Sequence, residues 1–361
     1  MCKSAYIHIP FCKSKCNYCS FVSGTNIDLA DCYIKALSDE ITAFYDGEIL
    51  KTIYLGGGTP SVLPVKSIER ILSMLKHNNS TEITIEINPD DANPKYLNKL
   101  KDIGINRLSF GVQTFNDKIL KLIGRRHNAQ TAINAIEQAK KIGFKNINID
   151  LIYGLPEQSL NVLEQDFAII NTLNLVHIST YGLKIEAPSY FSKHIPENLP
   201  DDDTQADMYL FINQKLSESG YKRYEVSNFA KSGYESKHNL NYWNNEEYYG
   251  FGLAAHGYKN SIRYSNTADI KEYLSNPHEH KNNHTVTLQE KIEEEIFLGF
   301  RREGGIDFNN FKNKYGFNFN DRYKSILKKY TPEYLERTSY GCKLTLKGVM
   351  LSNLILSEFL N

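Results

Sequence analysis

At roughly 150 residues per domain, 361 residues suggest about two domains, and 41% apolar with 23% charged side chains excludes a disordered chain. Lys plus Arg and Asp plus Glu both number 42, so the neutral chain has no global pull on nucleic acid or anionic lipid. No window approaches the ~18 consecutive apolar residues of a membrane span, and the first ten residues carry no apolar leader region or cleavage site. A cytoplasmic protein is expected.

Apolar, β-branched segments predict strands over 5–9, 52–55, 82–87, 107–111, 146–152 and 177–181. Helical stretches lie between them, as in βα units of a parallel sheet. A helix over 28–46 follows the first strand. Pro94 suits a first helical position and Gly104 a helix end. Residues 129–142 carry small and apolar side chains at helical spacing, with Gly143 as terminator. Residues 204–219 end similarly at Gly220. Six such units predict an α/β fold, a partial (β/α)6 TIM-like barrel over 1–220. A full eight-unit barrel is not visible.

From 221 the texture changes. Residues 221–290 are rich in Tyr, Asn and His without clean periodicity, and are expected to form loops and short strands that close the barrel's side. Residues 291–361 read as a small, mainly helical, winged-helix-like domain, with helices over 293–300, 320–329 and 349–360. Its 12 Lys/Arg against 9 Asp/Glu is too slight an excess for a DNA-binding surface, so no nucleic-acid partner is expected.

Six cysteines are too few for a disulfide scaffold, and a cytosolic chain keeps them reduced. Cys2, Cys32 and Cys342 are scattered and read as small buried apolar residues. Cys12, Cys16 and Cys19 instead form C-x3-C-x2-C in a loop after the first strand. Closely spaced thiolates hold iron–sulfur clusters, and three of them leave one iron of a four-iron cluster open to another ligand. A structural zinc ion is the alternative; it would need a fourth ligand, His8 or a distant residue.

In βα folds, chemistry collects at the C-terminal ends of the strands. Here those ends carry the cysteine loop, Gly56-Gly57-Gly58-Thr59-Pro60, Glu86 with Asn88, Gln113 and Asp150. Singly, a glycine run is often a turn and a strand-end carboxylate is often solvated. Their coincidence at one end of one sheet predicts a binding site. The glycine run fits neither a dinucleotide fingerprint nor a P-loop, but it admits close approach of a ligand to backbone. Carboxylates and an amide suit amino and ribose hydroxyl groups, hence a zwitterionic, nucleoside-like ligand.

The cysteine spacing followed by residues 56–60 resembles the radical S-adenosylmethionine (SAM) superfamily. YIHIPFC at 6–12, LGGGTP at 55–60, RLSFGVQTF at 107–115 and DLIYGLP at 150–156 are similar to its coproporphyrinogen dehydrogenase branch, over nearly the whole chain. The resemblance implies that Cys12, Cys16 and Cys19 hold a [4Fe-4S] cluster. It implies a SAM site lined by Tyr6, Gly57, Gly58, Thr59, Glu86, Gln113, Arg125, Asp150 and Lys184. The dehydrogenase has a further cysteine where Phe21 stands and a long N-terminal extension; here the motif begins five residues after Met1. With the segment HNLNYW at 238–243, this resembles HemW-type haem chaperones, a family thought to bind haem and pass it to acceptors, respiratory enzymes among them. His238 would be a haem contact, with Tyr242 and Trp243 offering flat area to a porphyrin. In the bland alternative, His238 makes a hydrogen bond and Trp243 packs beneath the domain junction. His256 is a second candidate, or shapes the SAM or porphyrin pocket. The carrier reading assigns no catalytic residue; the alternative is a radical SAM dehydrogenase that oxidatively decarboxylates coproporphyrinogen propionates. A cluster-dependent homodimer, and membrane contact only through acceptors, are further implications. The block YEVSNF at 224–229 receives no chemical role.

Overall fold

The computed structural model describes residues 2–360. The first strands and helices alternate: β1 (Ser4–Ile9), α1 (Ala30–Phe44), β2 (Thr52–Gly57), α2 (Val65–Ser73), β3 (Glu82–Ile87), α3 (Pro94–Asp102) and β4 (Arg107–Gln113). Then follow α4 (Asp117–Leu122), α5 (Ala129–Ile142), β5 (Asn146–Tyr153), α6 (Leu160–Leu173), β6 (His177–Gly182), α7 (Tyr190–Lys193) and α8 (Asp202–Glu218). β1 to β6 pair in parallel in sequence order, the partial barrel expected. Helix starts use side-chain caps: Asn93, Asn116, Asn128 and Ser159 each accept from a backbone N–H two or three residues into the helix.

One face of each strand packs under the helices. Ile7, Ile53, Ile85, Leu108, Ile149 and Ile178 are fully buried there, in a single apolar cluster. The alternate positions face the barrel's interior and are polar: Tyr6 and His8, Thr52 and Tyr54, Thr84 and Glu86, Arg107 and Ser109, Asn148 and Asp150, His177 and Ser179. Period-two alternation thus separates an apolar shell from a polar lumen.

Both sheet edges are extended by the next segment: β7 (Lys222–Arg223) and β8 (Asn228–Ala230) add beyond β6, while β9 (Tyr249–Phe251) pairs in parallel with β1. Between them lies α9 (Lys237–Trp243), so the HNLNYW segment is helical, where only loops and short strands were expected. β10 (His256–Lys259), β11 (Ile262–Ser265) and, after α10 (Ile270–Ser275), β12 (Lys281–Thr285) form a second sheet.

The remainder comprises α11 (Leu288–Gly299), β13 (Ile306–Asp307), α12 (Phe308–Tyr315), α13 (Phe319–Arg322), α14 (Lys324–Tyr330), β14 (Leu335–Arg337), β15 (Gly341–Leu344), α15 (Leu346–Met350) and α16 (Ser352–Ser357). It has its own core of Phe300, Phe311, Phe319 and Phe359 and a three-stranded sheet, as a winged-helix-like unit requires. Two expectations fail here. The helices expected over 320–329 and 349–360 are each broken, at Tyr323 and Leu351, whose backbones leave the helical region. Cys32 is exposed rather than buried, because α1 turns it away from the sheet; Cys2 and Cys342 are buried. No helix of the described residues is long and apolar enough to cross a membrane.

Candidate functional site

The C-terminal ends of the strands surround a cavity of about 550 Å3. It is lined by Cys12, Cys16 and Cys19, by Gly57, Gly58 and Thr59, and by Glu86, Gln113, Arg125, Asp150 and Lys184. The cysteine loop is tied down at several points. Cys12 N–H donates to Gly24 O (2.9 Å) and Asn17 N–H to Ile123 O (3.0 Å). Thr59 Oγ1 donates to Cys12 Sγ (3.4 Å) and Arg125 Nη1 to Cys16 Sγ (3.4 Å). Burial raises the Cys12 thiol, and the Thr59 hydroxyl only partly offsets it. Arg125 Nη2 also donates to Asn88 Oδ1 (2.7 Å), while its buried Nε has no partner among the described residues.

The glycines are needed for close approach. Gly57 has φ +107° and a Cβ there would lie 2.4 Å from the His8 ring; one on Gly58 would lie 2.8 Å from Ile9 O and Phe11 O. Gln113 reaches the cavity from a register shift in β4, with φ +70°, a strained value for a non-glycine residue. Glu86 accepts from Tyr54 Oη (2.9 Å) and Gly57 N–H (3.1 Å). Burial, then the neighbouring Asp150 charge, push its carboxyl up to about 7. Asp150 is raised by burial against hydrogen bonds from Asn148 and Ser109.

Glu86–Tyr54 leads into a second cavity of about 910 Å3, which shares Ser20, Phe21 and Tyr54 with the first. Its wall includes Tyr6, His8, His238, Tyr242, Tyr248 and His256. Tyr6, implied for the first cavity, therefore lies beside the second, its hydroxyl 3.1 Å from His8 Nδ1. His8 Nε2 sits 2.8 Å from Val22 O. With both nitrogens engaged, His8 is not free to be the fourth ligand of a zinc site. His238 and Tyr242 are brought together by α9, whereas Trp243, half-buried, lines neither cavity.

Sequence reasoning missed the polar lumen between these parts. Asn148 links Ser109 (2.7 Å) and Asp150 (2.9 Å) to His177 Nδ1 (2.6 Å); His177 Nε2 meets Tyr224 Oη (2.8 Å), which accepts from Ser236 N–H (3.3 Å) at the start of α9. Glu82 then receives the Lys237 and His238 N–H groups (3.2 and 3.1 Å). The unassigned 224–229 block so acquires a structural role: Tyr224 bridges the lumen to α9, and buried Glu225 holds the turn through Ser227 N–H (3.0 Å) and Asn228. The signal was available as polar residues at every second position of apolar strands.

A partial parallel barrel, three loop cysteines after its first strand and a glycine-lined cavity at the strand ends define a radical SAM protein. Residues 6–168 match the radical SAM superfamily and residues 286–351 the HemN C-terminal domain. Along 99% of both chains this sequence is 40% identical to the haem chaperone HemW of Bacillus subtilis, and it is 39% identical to that of Escherichia coli over 70% of this chain and 69% of the other. The chain belongs to the HemW family. The solved structure of coproporphyrinogen III oxidase (HemN) from Escherichia coli, a radical SAM enzyme, superposes with a TM-score of 0.86 at 25% identity, covering 99% of this chain and 89% of that one.

Proposed function

We propose that this chain is a haem carrier: it takes up haem in the second cavity, keeps a cluster with exchangeable SAM in the first, and hands haem to acceptor proteins, respiratory enzymes among them. The observation that carries the reading is the pair of adjoining cavities sharing Tyr54, Phe21 and Ser20, one rimmed by three thiols and the other by aromatic rings and imidazoles.

The residues of the first cavity fit the implied cofactors. Cys12, Cys16 and Cys19 would hold the [4Fe-4S] cluster, with Arg125 beside Cys16 offsetting thiolate charge. Gly57, Gly58 and Thr59 leave room for SAM against backbone, and Glu86, Gln113, Asp150 and Lys184 offer acceptors and a cation to its hydroxyl and zwitterionic groups. When bound, the cluster supplies one-electron reduction of the SAM sulfonium. The protein's part is to orient the ligand and limit water. Within the second cavity, Tyr242 and Tyr248 give flat apolar area to a porphyrin, with His238 Nε2 holding the Tyr242 hydroxyl.

The test is an anaerobic haem titration of the cluster-reconstituted chain, followed by visible spectroscopy. Stoichiometric binding without porphyrinogen turnover supports the carrier. The likeness to coproporphyrinogen III oxidase favours a second reading, oxidative decarboxylation; vinyl-bearing product with SAM consumed, and no specific haem binding, would establish it instead. Phe21 at the position of the dehydrogenase's extra cysteine speaks for the carrier.

A further inference from the structure

Three histidines border the second cavity, and they differ in what their nitrogens are free to do; both nitrogens of His8 are taken, by Tyr6 Oη and Val22 O. His238 is only 1% exposed. Its Nδ1 lies 2.8 Å from Thr52 Oγ1 and its Nε2 2.9 Å from Tyr242 Oη. The Tyr54 ring stacks on it at 5.0 Å. Ligating an iron would cost His238 one of these bonds and strand a hydroxyl in a buried setting, an expense of about 1–3 kcal/mol. Burial, then the Arg107 cation, push this imidazole down to about 3, and the neutral ring bridges Thr52 and Tyr242 through its two nitrogens.

His256 differs in exposure and in hydrogen bonding. It is exposed on the same cavity wall, and its ring makes no hydrogen bond with another group among the described residues. The loop that presents it is tied down by hydrogen bonds. Glu40, fully buried on α1, accepts from Gly252 N–H (2.8 Å), Asn266 Nδ2 (2.6 Å) and Tyr273 Oη (2.6 Å). Leu253 N–H donates to Tyr33 Oη (2.9 Å), and Asn266 N–H to Ala255 O (2.8 Å). Gly252 has φ +100°, and a Cβ there would meet Tyr33 Oη at 2.5 Å and His8 O at 2.6 Å. Ala254 is held at φ +55°. Burying a carboxylate is expensive, and this one serves to fix the backbone immediately before His256. An unengaged imidazole on a pinned loop is the arrangement a metal-binding side chain requires.

We propose that His256, and not His238, is the imidazole that ligates the iron of haem in the second cavity, His238 being a positioning residue that holds Tyr242 in place. This rests on the haem reading above, and the experiment separates the two. Cluster-reconstituted wild type, His256→Ala and His238→Gln are titrated anaerobically with haem and followed by visible and electron paramagnetic resonance spectra, with and without free imidazole. His256→Ala is expected to lose the histidine-ligated spectrum and bind about tenfold or more weakly, and imidazole should restore the spectrum. His238→Gln should retain histidine ligation with a smaller loss of affinity. A wild-type spectrum in His256→Ala overturns the assignment. So does imidazole rescue confined to His238→Gln. If the wild type binds no haem, the carrier reading itself falls.

Discussion

Glu86 joins the site's chemistry to the stability of the fold. Its carboxyl ordinarily titrates near 4.5 and is raised to about 7 in the folded chain, first by burial and then by Asp150. Between those values the folded state holds a proton that the unfolded state lacks, so stability falls as pH rises through this window and stays lower above it. The displacement corresponds to at most about 3 kcal/mol, since the carboxyl borders an open cavity. Glu86→Gln removes the charge. Its carbonyl can keep the Tyr54 hydrogen bond, but an amide nitrogen then faces the Gly57 N–H, a loss of about 1 kcal/mol. The variant without cofactors should therefore be about 2 kcal/mol more stable than wild type at pH 8 and gain nothing at pH 5, where Glu86 is already neutral. Urea denaturation at the two pH values, read by circular dichroism, measures this. A variant less stable at pH 8, or a difference that ignores pH, would refute the reasoning. In parallel, SAM affinity at pH 8 should fall, because a buried acceptor for the ligand has gone.

Replacing Cys12, Cys16 or Cys19 by Ala should abolish the visible absorption of the reconstituted cluster; a complete cluster in any one of them rejects that residue as a ligand. Tyr224→Phe deletes the hydroxyl shared by His177 and Ser236 and should cost about 1–3 kcal/mol in denaturant stability, with an unchanged midpoint counting against the lumen network. Gly252→Ala, placing a methyl against Tyr33 and His8 O, should weaken haem binding at pH 7 more than it alters cluster content; equal effects on both would show general unfolding instead.

Much of the barrel was legible because its information is local. The strands over 82–87 and the helix over 129–142 carry their period and their terminators within a few residues. The three cysteines, the glycine run, Glu86, Gln113 and Asp150 are local in the same sense, since parallel βα connections bring strand ends together whatever lies elsewhere. Helix α9 escaped notice because seven residues rich in Asn and aromatic side chains have no apolar stripe; it is held by Glu82, more than 150 positions earlier. Residues 249–251 likewise join the sheet only through β1.

The sequence by itself determined the fold class, the cysteine loop and the polar ends of the strands, because chain connectivity and side-chain period suffice for these. Tertiary structure alone decided which ring nitrogens are occupied. The sequence puts His238 first and His256 second as haem contacts, and only the approach of Thr52, Tyr54 and Tyr242 closes the first while Glu40 and Tyr33 pin the loop of the second. Those partners lie up to 220 residues away in sequence, and hydrogen bonds of that span are set by packing, not by any local preference of the chain.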